Sequence, residues 1–268
     1  MSLRISQVDA FTDRRFAGNP AAVCVLSEPA EERWMQDVAA EMNLSETAFA
    51  QRLGPDSIFS LRWFTPKKEV DLCGHATLAT AHVLWEEGHL PQSQPARFET
   101  RSGLLTAKRS STGIELDFPS EPVHEEVKEP GELAELRGAI QAPIRYAGRN
   151  RFDLLIDVET EEQVRGLHPD IRRLEQFPVR GVIVTGRASS GDHDFVSRFF
   201  APRVGVDEDP VCGSAHCCLG PYWAERLERT SLSGHQVSCR GGVVKVRVEG
   251  ARVVLIGQAV TVLRGELV

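Results

Sequence analysis

The chain carries one short motif twice, and the second copy lies about half the chain's length of 268 residues beyond the first. The first copy is Asp71-Leu72-Cys73-Gly74-His75-Ala76 and the second is Asp209-Pro210-Val211-Cys212-Gly213-Ser214-Ala215. Both hold Cys-Gly-x-Ala, both follow an acidic residue, and both lead into a helix-like stretch, Ala76–Glu87 or Ala215–Leu227. A repeat at half-length predicts two related halves facing each other, with a shared site built from both copies. Such a site fits an enzyme cleft better than a single-face binding module.

Composition narrows the partners. Net charge is −7, with 38 acidic residues against 31 basic ones and no dense Lys/Arg block. That argues against nucleic acid or an anionic membrane as partner. The longest apolar runs, Pro20–Leu26 and Val253–Ile256, are far too short to span a bilayer. The N-terminus lacks the basic and apolar regions of a secretory signal. Six cysteines in a chain this long do not form a disulfide pattern, so reduced thiols in a cytoplasmic protein are expected.

Periodicity gives short strands at Arg4–Phe11, Ala21–Leu26, Ala48–Leu53 and Phe59–Phe64, with a helix over Glu31–Met42. Ala76–Glu87 is apolar around most of its circumference, which predicts a helix buried nearly all round. A meander follows at Ala96–Thr100, Leu104–Arg109 and Gly113–Phe118. Pro119-Ser-Glu-Pro122 and the acidic run to Glu135 mark the expected domain boundary. The second half repeats the plan, with strands at Ile144–Gly148, Asp153–Val158, Gly181–Thr185 and Asp194–Phe200 before the helix Ala215–Leu227. Strands at Gln236–Cys239, Val243–Val248, Arg252–Ile256 and Ala259–Leu263 then follow. The expected fold class is α+β: two pseudo-symmetric, mainly-β halves, each wrapped around a central helix, with a cleft between them. The halves are placed at 1–120, with the last C-terminal strand a candidate addition, and at 121–268.

Both motifs put glycine at a strand-to-helix turn, where backbone approaches a neighbour closely or takes positive φ. The first turn of a helix leaves unpaired N–H groups at its positive end, which suits a carboxylate. Gly74, His75, Gly213 and Ser214 are therefore candidate anion-binding residues. The plainer alternative is that each glycine starts a tightly packed helix.

Further motifs carry a resemblance. Phe16-Ala-Gly-Asn-Pro-Ala-Ala-Val23, Asn43-Leu-Ser-Glu-Thr-Ala-Phe49, Arg62-Trp-Phe-Thr-Pro66, Leu72-Cys-Gly-His-Ala-Thr77, Phe199-Phe-Ala-Pro202 and Glu208-Asp-Pro-Val-Cys-Gly-Ser-Ala-His216 resemble the PhzF, or phenazine biosynthesis-like, family in order and spacing. The likeness runs from about residue 5 to the C-terminus. It implies a fold like that of diaminopimelate epimerase, a homodimer, no cofactor, and isomerisation of a small molecule. It also implies that Glu46 is the general acid/base and that Gly74, His75, Asp209 and Ser214 surround the substrate.

The residues themselves agree with parts of this. Glu46 lies between Leu44 and Phe49, an apolar flank that favours a protonated carboxyl, as proton transfer at carbon near neutral pH requires. A helix N-terminus disfavours a charged imidazole, so His75 is expected to be neutral. Pro210 holds Asp209 extended. Asn19 is a candidate cleft residue and equally a plain turn residue.

Cys212 departs from the family pattern, which commonly has Thr there. Cys73 and Cys212 then sit where the thiol pair of cofactor-independent racemases would sit, and thiols at helix N-termini are expected to be acidified. A two-thiol amino-acid racemase or epimerase is thus one alternative function, and a non-enzymatic binding protein is another. Small buried cysteines packing strand against helix are the plainer account of the pair. No metal site is expected: His75, His82 and His89 are spaced too far apart along a helix, and adjacent His216, Cys217 and Cys218 diverge.

Overall fold

The computed structural model describes residues 3–54, 57–189 and 191–268. The chain forms two compact units, Met1–Phe118 with Val254–Val268, and Pro119–Val253. The expected second half therefore ends early, because residues 254–268 belong to the first unit. Strand Ala259–Leu267 pairs antiparallel with strand β1 (Leu3–Ala10) over its whole length.

In the first unit β1 also pairs antiparallel with β2 (Asn19–Leu26). Helix α1 (Glu32–Met42) connects β2 to β3 (Glu46–Arg52), its parallel neighbour. Strand β4 (Ile58–Phe64) lies antiparallel to β3 and parallel to Ala96–Thr100, and helix α2 (Gly74–Glu86) lies between those two strands in the chain. The antiparallel strands Gly103–Ser110 and Gly113–Pro119 complete the sequence of pairings.

The second unit repeats that order. Tyr146–Arg149 pairs antiparallel with Asp153–Asp157, which pairs parallel with Gly181–Arg187. Gly181–Arg187 pairs antiparallel with Phe195–Ala201, which pairs parallel with Ser231–Gln236, followed by antiparallel Gly242–Glu249. Both units thus run antiparallel, parallel, antiparallel, parallel, antiparallel, the duplication that the repeated motif predicts. Among the described residues, no helix is long and apolar enough to cross a membrane.

Departures from the sequence expectation have local causes. Where an acidic boundary segment was expected, helix α3 (Pro130–Ile140) forms. Pro130 sits in its first turn, the Glu129 side chain accepts from Gly131 N, and Leu136, Ala139 and Ile140 are buried. Two short helices, α4 (Glu161–Arg165) and α5 (Ile171–Leu174), are fixed by a Thr160/Gln163 capping box and an Asp170 cap. The strand expected at Gln236–Cys239 lies earlier, at Ser231–Gln236. Its inward residues Leu232, Gly234 and Gln236 alternate correctly, but only one of them is a large apolar group, so the pattern is faint.

A second long helix, α6 (Gly213–Leu227), is the counterpart of α2. In α2 every residue from His75 to Ala81 is buried, and Thr77 and Thr80 donate back to the Cys73 and Ala76 carbonyls. Those bonds satisfy two hydroxyls that burial would otherwise penalise. Pro221 inside α6 cannot donate to the Cys217 carbonyl, and Glu121 N donates to it instead at 3.1 Å. Trp223 Nε1 donates to Thr185 Oγ1 at 2.9 Å, which in turn donates to Val196 O at 2.7 Å.

Gly220 lets α6 approach the sheet, since a Cβ there would lie 2.6 Å from Val246 Cγ1. Gly→Ala in a helix ordinarily stabilises by about 1 kcal/mol. Here the overpacking outweighs that gain, so Gly220→Ala is expected to destabilise by about 1–3 kcal/mol, measured by urea unfolding.

Candidate active site

Four side chains of the first unit converge at the start of α2. Parallel pairing sets Glu46, the first residue of β3, opposite Ala21 of β2. Alternation then divides β3. Thr47 and Phe49 face away, Phe49 packing on the α1 cluster of Met35, Val38 and Ala39, while Glu46 reaches the second residue of α2. Glu46 Oε2 lies at an ion-pair distance of 3.1 Å from His75 Nε2, and this buried oxygen accepts no hydrogen bond from any described group, His75 included.

His75 is 5% exposed, and Asn19, at the first position of β2, is fully buried. Asn19 Nδ2 lies 3.2 Å from His75 Nδ1, and Cys73 Sγ lies 3.5 Å from the same nitrogen. The amide N–H donates, so Nδ1 with its single lone pair is the acceptor and the neutral ring carries its proton on Nε2, the nitrogen nearer Glu46. Asn19 thus belongs to this cluster rather than to a plain turn.

The loop before Asn19 is held tightly. Asp9, buried in β1, accepts from Phe16 N through Oδ2 at 2.7 Å. Gly18 has φ +64°, and a Cβ there would lie 2.2 Å from Ala10 O, so only glycine fits.

Sequence reasoning missed that Glu46, Cys73 and His75 bring their O, S and N donor atoms within 4.8 Å of one another. That set has the mixed chemistry a divalent ion accepts. In this arrangement His75 Nε2 faces Glu46 Oε2 at 3.1 Å and His75 Nδ1 lies 3.5 Å from Cys73 Sγ.

The second unit gathers a different set around α6. Arg180 Nε donates to Asp153 Oδ1 at 2.8 Å, Arg180 Nη2 donates to Asp153 Oδ2, and Nη2 also donates to Ser214 Oγ at 2.7 Å. Asp153 is 1% exposed; burial raises its carboxyl, and the bidentate guanidinium opposes that shift. The guanidinium stands 5.2 Å from the Phe152 ring centre and 5.7 Å from that of Phe199.

Buried Gln236 clamps the motif loop. Its Oε1 accepts from Cys212 N at 2.9 Å and its Nε2 donates to Asp209 O at 2.6 Å. Asp209 closes the short strand Val206–Asp209 just before this loop. Asp153, Arg180 and Gln236 were not expected from the sequence, because each acts through contacts between residues 24 or more positions apart.

Gly74 and Gly213 are the first residues of α2 and α6, and neither takes a positive φ, so of the two reasons for glycine at these turns the left-handed backbone does not apply. The thiol expectation needs correction: burial, reinforced by the Asp209 charge, pushes the Cys212 thiol up to about 12, so it is not acidified. Burial does the same to Cys218, also about 12.

His216 has no access to solvent. Its Nδ1 donates to Cys212 O at 2.8 Å while Nε2 has no partner among the described residues, and burial lowers its pKa to about 4.

A family model described as "Phenazine biosynthesis-like protein", PhzC-PhzF, matches residues 8–265. A protein of Halalkalibacterium halodurans named as an uncharacterized isomerase is 55% identical, the match covering 100% of this chain and 99% of that one. A Pseudomonas aeruginosa protein, also named as an uncharacterized isomerase, is 48% identical with the same coverage. The crystal structure of a PhzF-family protein from Enterococcus faecalis superposes with a TM-score of 0.93 at 42% identity, covering 100% of both chains.

The His216 geometry gives a pH dependence of defined sign. With a folded value of about 4 against 6.5 in the unfolded chain, the unfolded chain takes up the proton first on acidification. This contribution is intact above pH 6.5 and lost as pH falls to 4, by about 3 kcal/mol in total. Urea unfolding of the wild-type protein and His216→Gln between pH 7 and 4 should show a shallower loss in the variant.

Proposed function

The chain belongs to the phenazine biosynthesis-like (PhzF) family, and on that premise we propose that it is a cofactor-independent isomerase in which Glu46 moves a proton on a small substrate bearing a carboxylate. The names of its curated relatives support an isomerase. The observation that carries the finer reading is the Glu46–His75 pair, a buried imidazole against a half-buried carboxylate, with 3.1 Å between Oε2 and Nε2.

In this reading Glu46 takes the proton from carbon as its carboxylate and returns it as the acid. His75, held by Asn19 and Cys73 on its other nitrogen, donates to whichever substrate or glutamate oxygen carries negative charge at each stage. The N–H groups of the α2 first turn, at Gly74 and His75, favour developing anionic charge. Asp209, Gly213 and Ser214 orient the substrate, and the turn at Cys212–Ser214 binds its anionic group. The protein acts as a cytoplasmic homodimer.

Sequence duplication does not extend to the chemistry. Glu46 opens β3 opposite Ala21, and the corresponding place in the second unit, opening Gly181–Arg187 opposite Asp153, holds Gly181. A Cβ at Gly181 would lie 2.4 Å from the Phe199 ring, so no second carboxylate fits there. A two-thiol mechanism pairs a thiolate with a thiol, and each must serve as thiolate in one direction; burial of the Cys212 thiol disfavours its turn as base. One carboxylate that removes and returns the proton accounts for both facts.

Thermal-shift screening against small carboxylic acids, amino acids and cyclohexadiene acids, followed by deuterium incorporation from D2O, tests the assignment. Glu46→Gln should lose about a thousandfold in exchange rate while its unfolding midpoint stays near that of the wild type. Unimpaired exchange in that variant would refute the role of Glu46.

A further inference from the structure

The Asp153–Arg180–Ser214 cluster is not explained by folding alone. A residue leading a parallel strand touches the second residue of the central helix in each unit: Glu46 meets His75, and Arg180, immediately before Gly181–Arg187, meets Ser214. The duplicated architecture thus places a carboxylate at one helix start and a guanidinium at the other. Arg180 has donors only, so Ser214 Oγ accepts from it. Cys212 Sγ lies 3.4 Å from the same oxygen, and either group can donate across that contact. With Arg180 filling one lone pair, a thiol that donates fills the other and leaves the hydroxyl hydrogen to point elsewhere.

We propose that Asp153 and Arg180 are positioning residues that lock Ser214 as a hydrogen-bond donor, so that the Cys212–Ser214 turn takes a carboxylate or enolate oxygen and rejects an N–H group. This rests on the anion-binding role given above to the second glycine turn. Asp153 supplies the rigidity. Buried at the first position of its strand, it receives two parallel bonds from the guanidinium, and Asn150 Oδ1 accepts from Asp153 N at 2.7 Å to fix the strand start. Phe152 and Phe199 flank the guanidinium and restrict its plane.

A joint neutron and X-ray structure of the perdeuterated full chain reads the hydroxyl directly and needs no substrate. The expected result is the Ser214 Oγ–D bond directed away from both Arg180 Nη2 and Cys212 Sγ. An Oγ–D bond aimed at the sulfur would overturn the proposal.

Binding is read by NMR titration of the Gly213 and Ser214 amides, with formate and formamide as probes. Formate should bind the wild-type chain, and formamide at least about tenfold more weakly. Asp153→Asn, Ser214→Ala and the double variant should each weaken formate by about tenfold, with no further loss in the double, because both changes remove one donor. Additive losses, or formate binding unchanged in Asp153→Asn, would overturn it.

Arg180→Met leaves Asp153 buried without its cation, and where that variant fails to fold, Asp153→Asn/Arg180→Met removes both charges together and takes its place. None of these readouts involves Glu46, so deuterium exchange lost in Glu46→Gln stands or falls separately.

Discussion

A carboxylate and an imidazole held 3.1 Å apart at the first turn of α2 are the contact around which the first unit is organised. The Glu46 oxygen that faces the imidazole is shut off from solvent, and a carboxylate oxygen there is costly without a neighbouring partner. The pair is tolerable because each end is tied to backbone that the sheet fixes. Glu46 opens β3 in parallel register with β2, Asn19 opens β2 itself, and Cys73 and His75 flank the glycine that begins α2. Tight packing of the Gly18 turn against the Ala10 carbonyl holds the start of β2 where Asn19 meets the imidazole.

The second unit solves the same geometric problem with the opposite charge. Its strand order repeats that of the first, yet glycine stands where Glu46 would be, and Arg180 with buried Asp153 occupies the neighbourhood of the helix start. An ancestral duplication of backbone with divergence of charge accounts for this pattern. Under the proposed function, one group moves the proton and the other recognises an anion, where two identical poles would have given two bases.

Much of this was legible in the sequence, for identifiable reasons. The repeated Cys-Gly-x-Ala motif disclosed the duplication because it marks a strand-to-helix turn that both units need. Helices α2 and α6 were visible because burial all round demands apolar residues at nearly every position. Glu46 and His75 came from motif resemblance, and their mutual contact could not be read, since it depends on parallel register between β2 and β3. Arg180, Asp153 and Gln236 were silent for the same reason. Their partners are distant in sequence, and an arginine before a strand looks like any solvated charge. The plainer reading of Cys212 as a small packed residue agrees with its burial, which overrides the acidity that a helix N-terminus suggests. Strand Ser231–Gln236 escaped notice because glycine and glutamine fill two of its three inward places.

The central claim is that a carboxylate, and no thiol, carries the proton. The most direct measurement is the rate of solvent-deuterium exchange into a turned-over carboxylic acid by the Cys73→Ser/Cys212→Ser protein. This account predicts a rate within about tenfold of the wild type, since serine preserves a donor to His75 Nδ1 and the acid/base group is untouched. A loss of a thousandfold or more in a folded double variant would contradict it.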